Sequence, residues 1–279
     1  MAAGDVTRTG RVNNDIYDHL GERWYTARDD PIALLRAEAR ARNPWIAGAI
    51  RRAFPSGEVK VLDIGCGGGF LSNYLAEAGF TVIGLDAAAE SLMIAQRHDA
   101  TGRACYHLGD AYRLPYADAA FHAACAMDFL EHVDDPGRAV GEAARILQPS
   151  GLFFFATFNR NFISWLFGIK GVEWFVKNTP PRLHELSHFI KPAELRAMCE
   201  ESGLRINELH GFAPRFNRAF WRLLVTGVVA DDFTFQFARN AITGYIGIAE
   251  KSRATHRAGA SETPAWRTFP RRTRSSNPR

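Results

Sequence analysis

Ten residues constrain this chain more than any others: Val61-Leu62-Asp63-Ile64-Gly65-Cys66-Gly67-Gly68-Gly69-Phe70. The apolar run from Val59 to Ile64, interrupted by Lys60 and Asp63, reads as a short buried strand. A glycine cluster follows, and Phe70 to Ala78 then carries apolar residues at helical spacing. Strand, glycine turn and helix form the opening unit of a nucleotide-binding α/β fold. Glycine lets the backbone turn sharply and lets a ligand approach amide groups that a Cβ would screen. The spacing also discriminates. A dinucleotide fingerprint, G-x-G-x-x-G from Gly65, needs a third glycine at position 70, where Phe70 stands. That argues against a nicotinamide- or flavin-dependent oxidoreductase.

A chain of 279 residues with 47% hydrophobic residues can bury a sizeable core. The formal charge of +4 misleads, because the segment from Lys251 onward carries eight Lys or Arg and one Glu. Residues 1–250 are therefore mildly acidic, with no basic stripe of the kind nucleic acid requires, and no nucleic-acid partner is expected. Cys66, Cys105, Cys125 and Cys199 lie far apart without a C-x-x-C pair, which predicts reduced thiols and a cytoplasmic setting. The amino terminus has no apolar leader pattern, and no run approaches the length of a bilayer span.

Further along, strands and helices alternate. Residues 1–12 read as a flexible start. Helical spacing covers Asn13 to Ala27, with Ile16, Leu20 and Trp24 on one stripe, and again Pro31 to Phe54. Strands are expected at Thr81–Leu85, Ala104–Leu108, Phe121–Met127, Leu152–Thr157, Leu204–Leu209 and Ala241–Ala249, with helices at Glu90–His98, from Pro136, and at Pro192–Glu201. Such alternation with short connections predicts one α/β domain over residues 13–251, with a doubly wound, mostly parallel sheet of seven strands. The rhythm fails between Asn159 and Lys191, an aromatic-rich helical insert, and residues 252–279 have the composition of a disordered basic tail.

Acidic residues close several strands in order. Asp86 ends the second strand and suits a ribose diol, since a carboxylate accepts both hydroxyl hydrogens. Asp110 follows the third strand, placed to accept from an adenine amino group, and Asp63 is placed to brace the glycine turn and face a cationic group. Together with Gly65, Gly67 and Gly69, this acid-and-alternating-glycine pattern resembles the first motif of class I S-adenosylmethionine-dependent methyltransferases. Cys66 reads as a small filler.

After the fourth strand, Asp128, Glu131 and His132 stand at i, i+3 and i+4. On a helical turn they would share a face. Two readings stay open. Two hard oxygens and an imidazole suit a divalent ion such as Mg2+, which would bind a catechol and help to deprotonate it. Alternatively Asp128 caps the turn, Glu131 orients His132, and the histidine meets the substrate as a base. Asp134-Asp135-Pro136 reads as a helix start.

From about Asn14 to Glu208 the chain resembles the ubiquinone-biosynthesis O-methyltransferases. The resemblance is carried by the glycine stretch, Gly84-Leu85-Asp86, Leu130-Glu131-His132-Val133, Asn159-Arg160-Asn161, Ser164-Trp165-Leu166 and Phe189-Ile190-Lys191-Pro192-Ala193-Glu194-Leu195. It implies a Rossmann-like class I fold with cover helices before the first strand, S-adenosylmethionine as methyl donor, and a phenolic or catechol acceptor of polyprenyl type. It implies cofactor contacts at Arg42, Gly65, Asp86 and Met127, and a magnesium site at Asp128, Glu131 and His132, where the family usually has glutamate in place of Asp128. Such an acceptor lives in the membrane. Trp165, Leu166, Phe167, Trp174 and Phe175 with Lys170 and Lys177 would then make residues 162–177 a peripheral membrane contact, or else a lid over the site. His184 and Lys191 read as structural. The chain departs from the family pattern after Leu209, by adding Pro214 to Asp232.

Overall fold

The computed structural model describes Asn14, Tyr17 and residues 19–253. The flexible start over residues 1–12, Asn13 and Ile16 of the first helix, and the basic tail beyond Arg253 lie outside the described residues.

Five parallel strands come first: β1 (Lys60–Ile64), β2 (Thr81–Asp86), β3 (Cys105–Leu108), β4 (Phe121–Met127) and β5 (Leu147–Phe158). Helices α3 (Phe70–Glu77), α4 (Ala89–Arg97) and α5 (Pro136–Ile146) return the chain between them. Three antiparallel strands complete the sheet: β6 (Leu204–Pro214), β7 (Phe235–Ala238) and β8 (Gly244–Lys251). The order is β3-β2-β1-β4-β5-β8-β6-β7. The doubly wound, mostly parallel expectation holds, but the sheet has eight strands where seven were expected. The additional strand is β7, which pairs Phe235–Ala238 with Gly211–Pro214 at the edge of β6. It belongs to the segment after Leu209, in which helix α9 (Arg218–Thr226) also forms.

Strand alternation divides the core between two faces. Leu62, Ile64, Phe153, Phe155 and Tyr245 pack on one side with α5 and α8 (Pro192–Glu201). Val61, Val82, Cys125, Phe154 and Ile246 pack on the other against α3 and the long helix α2 (Ile32–Ala53). The strand order reverses between β1 and β4, so the crevice at their carboxyl ends is the place such a sheet offers a ligand. The parallel registers Asp63 with Gly84 and Asp63 with Cys125 bring the closing acids of β1, β2 and β4 to one edge.

Two stretches are less continuous than their spacing suggests. Among the described residues of the first, α1 spans Arg23–Thr26 and begins after Gly21, which takes a φ of 48° and interrupts regular helix. The insert is helical over Phe162–Phe175 in three abutting pieces, α6 (Phe162–Ser164), a π-helical stretch (Trp165–Lys170) and α7 (Gly171–Phe175), and again in a 3-10 turn at Leu186–His188.

Gly247 shows how tightly the centre is built. A Cβ there would lie 2.4 Å from the Glu208 carbonyl oxygen and 2.5 Å from the Phe155 ring. Gly247→Ala is therefore expected to lower stability by about 1–3 kcal/mol, the range for overpacking a close-packed core. Chemical denaturation should show a lower midpoint with an unchanged slope.

Candidate active site

Arg42 is the hub of the carboxyl edge. It comes from the middle of α2 and is 6% exposed. Its Nη1 stands 2.5 Å from Asp128 Oδ2 and 3.4 Å from Glu38 Oε2. Its Nε is buried without a hydrogen-bond partner among the described residues. Asp63 sits nearby, 2% exposed, accepting from the Ser72 hydroxyl at 2.7 Å. Burial pushes the Asp63 carboxyl up to about 7, against the Ser72 hydrogen bond and the Arg42 charge, which pull it down. Glu38 is pushed well above its ordinary value by burial and by Asp128, with Arg42 opposing. The edge thus concentrates carboxylates around one guanidinium, a field that favours a cation.

Asp86 ends β2, as expected. Its two oxygens accept from Gly67 N and Ala88 N, both at 2.8 Å. A carboxylate at the end of the second strand is of the kind that can accept from ribose hydroxyls. The glycine turn differs from expectation. Gly65 N and Cys66 N donate to Leu85 O, Gly67 N to Asp86 and Gly69 N to Cys66 O, so these amides serve the turn itself. The missing side chains make room for aromatic rings. A Cβ on Gly65 would meet Phe129 at 2.3 Å, and one on Gly67 or Gly68 would meet Trp24 at 2.6 or 2.7 Å. Gly65, Gly67 and Gly69 also take φ of 69°, 51° and 82°, the left-handed region that a side chain resists.

Beyond β4 the helical spacing does not materialise. Asp128 takes a φ of 51°, outside the turn, and only Leu130–His132 forms a single 3-10 turn. A left-handed residue before a three-residue turn cannot share a face with i+3 and i+4. Asp128 turns to Arg42, while Glu131 accepts from the Thr157 hydroxyl at 2.7 Å. His132 Nδ1 lies 3.2 Å from Asn14 Oδ1. Among the described residues no three His, Cys, Asp or Glu side chains gather where they could hold an ion. The expected Mg2+ ligand set of Asp128, Glu131 and His132 is therefore not assembled, and these residues do not fit a metal.

Glu131 and His132 are neighbours on this 3-10 turn, Glu131 buried and His132 half-buried. Burial and the Asp128 charge push the Glu131 carboxyl up to about 8. Glu131 Oε1 is buried without a hydrogen-bond partner among the described residues. Burial and the neighbouring His184 lower His132 to about 3, which keeps it neutral.

Several residues of this site escaped the sequence reading. Tyr17 stacks on Trp24 with ring centres 5.8 Å apart and meets His132 edge-on at 5.7 Å. Burial, with the charges of Glu131, Asp128 and Asp86, pushes its phenol up. Trp24 donates from its indole to Ser91 Oγ at 3.2 Å. The segment before α2 is thus a cover that seals the glycine turn and touches His132. A cover before the first strand was implied by the family resemblance, but its contacts with the glycine turn and His132 were not. Of the remaining expected contacts, Met127 is buried in the core on the α2 side. Asp110 is exposed and accepts from Tyr112 N at 2.8 Å, capping its own turn. Cys66 is a buried filler, its thiol pushed up by burial.

Comparison with known proteins was made against this geometry. A family model described as a methyltransferase domain matches residues 62–155. A ubiquinone biosynthesis O-methyltransferase of Aromatoleum aromaticum is 35% identical over 205 residues, covering 71% of this chain and 83% of that protein. One from Thiobacillus denitrificans is 36% identical over 198 residues, covering 70% and 83%. Among solved structures, a SAM-dependent methyltransferase of Methanosarcina mazei superposes with a TM-score of 0.51 at 23% identity, over 73% of this chain and 97% of that one.

Removing Arg42 would leave Glu38 and Asp128 buried without their cation. Arg42→Met is expected to destabilise the fold by about 3–5 kcal/mol, the cost of breaking a buried ion pair from one side. Adding Asp128→Asn should restore part of that loss, read as a rise in the thermal midpoint of the double variant over the single one.

Proposed function

The chain belongs to the ubiquinone-biosynthesis O-methyltransferase family of S-adenosylmethionine-dependent methyltransferases, and from that premise we propose that it methylates a phenolic or catechol oxygen, with a polyprenyl ubiquinone precursor as its acceptor. The observation that carries this reading is the 3-10 turn just past β4, which sets buried Glu131 and half-buried His132 beside the acid-rich edge around Arg42.

The donor site is suited to a cationic nucleoside. The unpartnered Nε of Arg42 offers a donor to a carboxylate. Asp63 supports an ammonium group, and Asp86 at the end of β2 offers the carboxylate that suits a ribose diol. Bound there, S-adenosylmethionine supplies an electrophilic methyl group on a sulfonium. The protein's task is then to position the acceptor and take its proton. A phenol titrates near 10, as tyrosine does, so a base must assist at neutral pH. Of the two candidates, the Glu131 carboxyl at about 8 is better matched to that proton than His132 at about 3. His132 stays neutral, suited to hold the hydroxyl by a hydrogen bond. Arg42, Asp63 and Asp86 would hold the cofactor, which would supply the methyl group and be released as its thioether, while Glu131 takes the phenolic proton. Trp24 and Tyr17 help to exclude water from this transfer.

Access to the acceptor is part of the reading. Phe162, Ile163, Phe167, Trp174 and Phe175 are exposed along the insert, with Lys170 and Lys177 beside them. Such a surface supports a peripheral contact over residues 162–177 with the membrane that holds a polyprenyl substrate. Among the described residues no helix is long and apolar enough to cross a membrane. The four cysteines are free, which supports the cytoplasm as the setting. The segment bearing α9 and β7 favours a second reading, in which the acceptor is another lipid-like phenol.

The deciding experiment is mass-spectrometric detection of methyl transfer to a demethylated quinone precursor beside a panel of other phenols. Methylation of the precursor is expected, and transfer only to unrelated phenols would replace it with the second reading. Within that assay His132→Ala should cut turnover far more than cofactor affinity. Trp174→Asp should slow reaction with vesicle-borne acceptor while sparing a water-soluble, short-chain one. The pH dependence has a definite sign. The working base is the ionised carboxylate of Glu131, whose fraction grows as pH rises through about 8. Turnover should therefore climb from pH 6 and level at or below that value, since a bound cation lowers the pKa of a nearby acid. Glu131→Gln should abolish the climb.

A further inference from the structure

Helix α9 carries large apolar residues on the side that faces water. Asn217 caps its start, accepting from Phe220 N at 3.1 Å, and Gly227 ends it in the left-handed region at a φ of 69°. Between these caps the helix has two stripes. Ala219 and Leu223 turn inward and pack with Val172 and Val176 of the insert and with Ala33 and Ala37 of α2. The opposite stripe is Arg218, Trp221, Arg222 and Val225, spaced i, i+3, i+4 and i+7, and all four are exposed. A helix resting on a protein surface ordinarily turns polar residues to that side. Here Trp221 is 59% and Val225 86% exposed, and Phe216, just ahead of the helix, is 66% exposed. Large apolar side chains gathered in water mark a surface that something else covers.

This helix is joined to the insert. Lys177 N donates to Gly227 O at 3.3 Å, and a Cβ on Gly227 would stand 2.8 Å from Lys177 Cγ. Two neighbouring helices that turn their inner stripes to one core leave their outer stripes on adjoining surface, and α7 adds exposed Trp174 and Phe175 there. The charges around these apolar groups do not balance. Asp232 pairs with Arg222, Glu173 with Lys170 at 2.7 Å, and Asp231 with Arg28 at 2.7 Å. Lys177, Arg215 and Arg218 are exposed and make no ion pair among the described residues. A positive excess therefore collects beside the exposed aromatics, although residues 1–250 as a whole are mildly acidic.

We propose that α9 is a second membrane-contacting element, which lays Trp221 and Val225 into the headgroup layer of an anionic lipid surface while Lys177, Arg215 and Arg218 meet its negative charges. The composition fits a bilayer. Tryptophan suits the boundary between water and lipid, and arginine lays its stem along apolar surface while keeping its charge in water. Diffuse positive charge beside exposed apolar residues is the pattern that anionic headgroups attract, and it needs no fixed partner. The inference extends the peripheral contact over residues 162–177 and rests on that part of the reading, but not on the identity of the acceptor. Two adjoining elements would hold the protein on the surface in one orientation and more tightly than either alone.

The test is co-sedimentation of the full chain with vesicles, in the absence of any acceptor. One set is phosphatidylcholine alone and the other is phosphatidylcholine mixed with phosphatidylglycerol. The wild-type protein should bind the mixed vesicles at least about tenfold more tightly, by a margin that shrinks as salt is raised. Arg215→Gln with Arg218→Gln should weaken binding to the mixed vesicles about thirtyfold, the loss expected for two basic residues at an anionic surface. Trp221→Asp should weaken binding to both sets. Arg215→Lys with Arg218→Lys should keep most of the binding, and all these variants should keep the wild-type thermal midpoint, since the outer stripe lies outside the core. Binding that survives both the glutamine pair and Trp221→Asp would overturn the role of α9, and its loss in Trp174→Asp would then leave the contact over residues 162–177 standing alone. Equal affinity for the two sets would overturn the anionic surface. A protein that sediments with neither set would sink both contacts while sparing methylation of a water-soluble phenol. If its mass by light scattering also halves in Trp221→Asp, the face joins two copies of the chain instead.

Discussion

The buried guanidinium of Arg42 is the interaction on which the rest of the site depends. It is delivered from α2, a helix that precedes the sheet in the chain, to Asp128, the residue that leaves β4. Without it, Glu38, Asp63, Asp128 and Glu131 would be carboxylates buried near one another with nothing to hold them ionised. Part of the strain persists, as the raised proton affinities of Glu38, Asp63 and Glu131 show. That residual imbalance is useful for chemistry. An edge short of positive charge favours a cation, and the same imbalance lifts Glu131 to where it can act as a base.

Around this hub the protein spends its aromatic residues on closure. Trp24 and Phe129 lie where side chains on Gly65, Gly67 and Gly68 would otherwise be, so the glycine turn and its cover are one packed unit. Tyr17 continues the cover to His132, and His184 with Phe158 and Phe189 closes the far side. Closure of this kind strengthens charge interactions inside by removing water, which is what a transfer between a sulfonium and a phenolate requires. The insert supplies the outer wall through Trp165 and Ile169, with its remaining aromatics outward. One element thus lines a cavity on one side and presents an apolar face to the surroundings.

Much of the frame was legible because it obeys local rules. Strand, glycine turn and helix follow from periodicity and from the conformational freedom of glycine, and Asp86 falls at a strand end for that reason. Asp135 could be read as a helix cap because capping is a contact over three residues, here to Arg138 N at 2.9 Å. The misreadings came where a local rule was overridden. Asp128, Glu131 and His132 have helical spacing, but Asp128 is drawn to Arg42 and takes a left-handed conformation, so the three do not converge. The turn amides expected to face a ligand are used by Leu85 and Asp86. The eighth strand was missed because β7 is four residues long and carries little periodic signal.

The sequence by itself determined the fold class, the run of strand-end acids and the S-adenosylmethionine-dependent family, since these depend on short-range spacing of glycines, acids and apolar residues. Family membership was already legible in stretches such as Asn159-Arg160-Asn161 and Phe189-Ile190-Lys191. Only the tertiary structure decided what the residues at the centre do. Glu38, Tyr17, Thr157 and His184 come from segments far apart in the chain, and each looks unremarkable in its own neighbourhood. Their roles arise from burial and from charges met across the fold, which shift proton affinities and select partners. No local pattern encodes that.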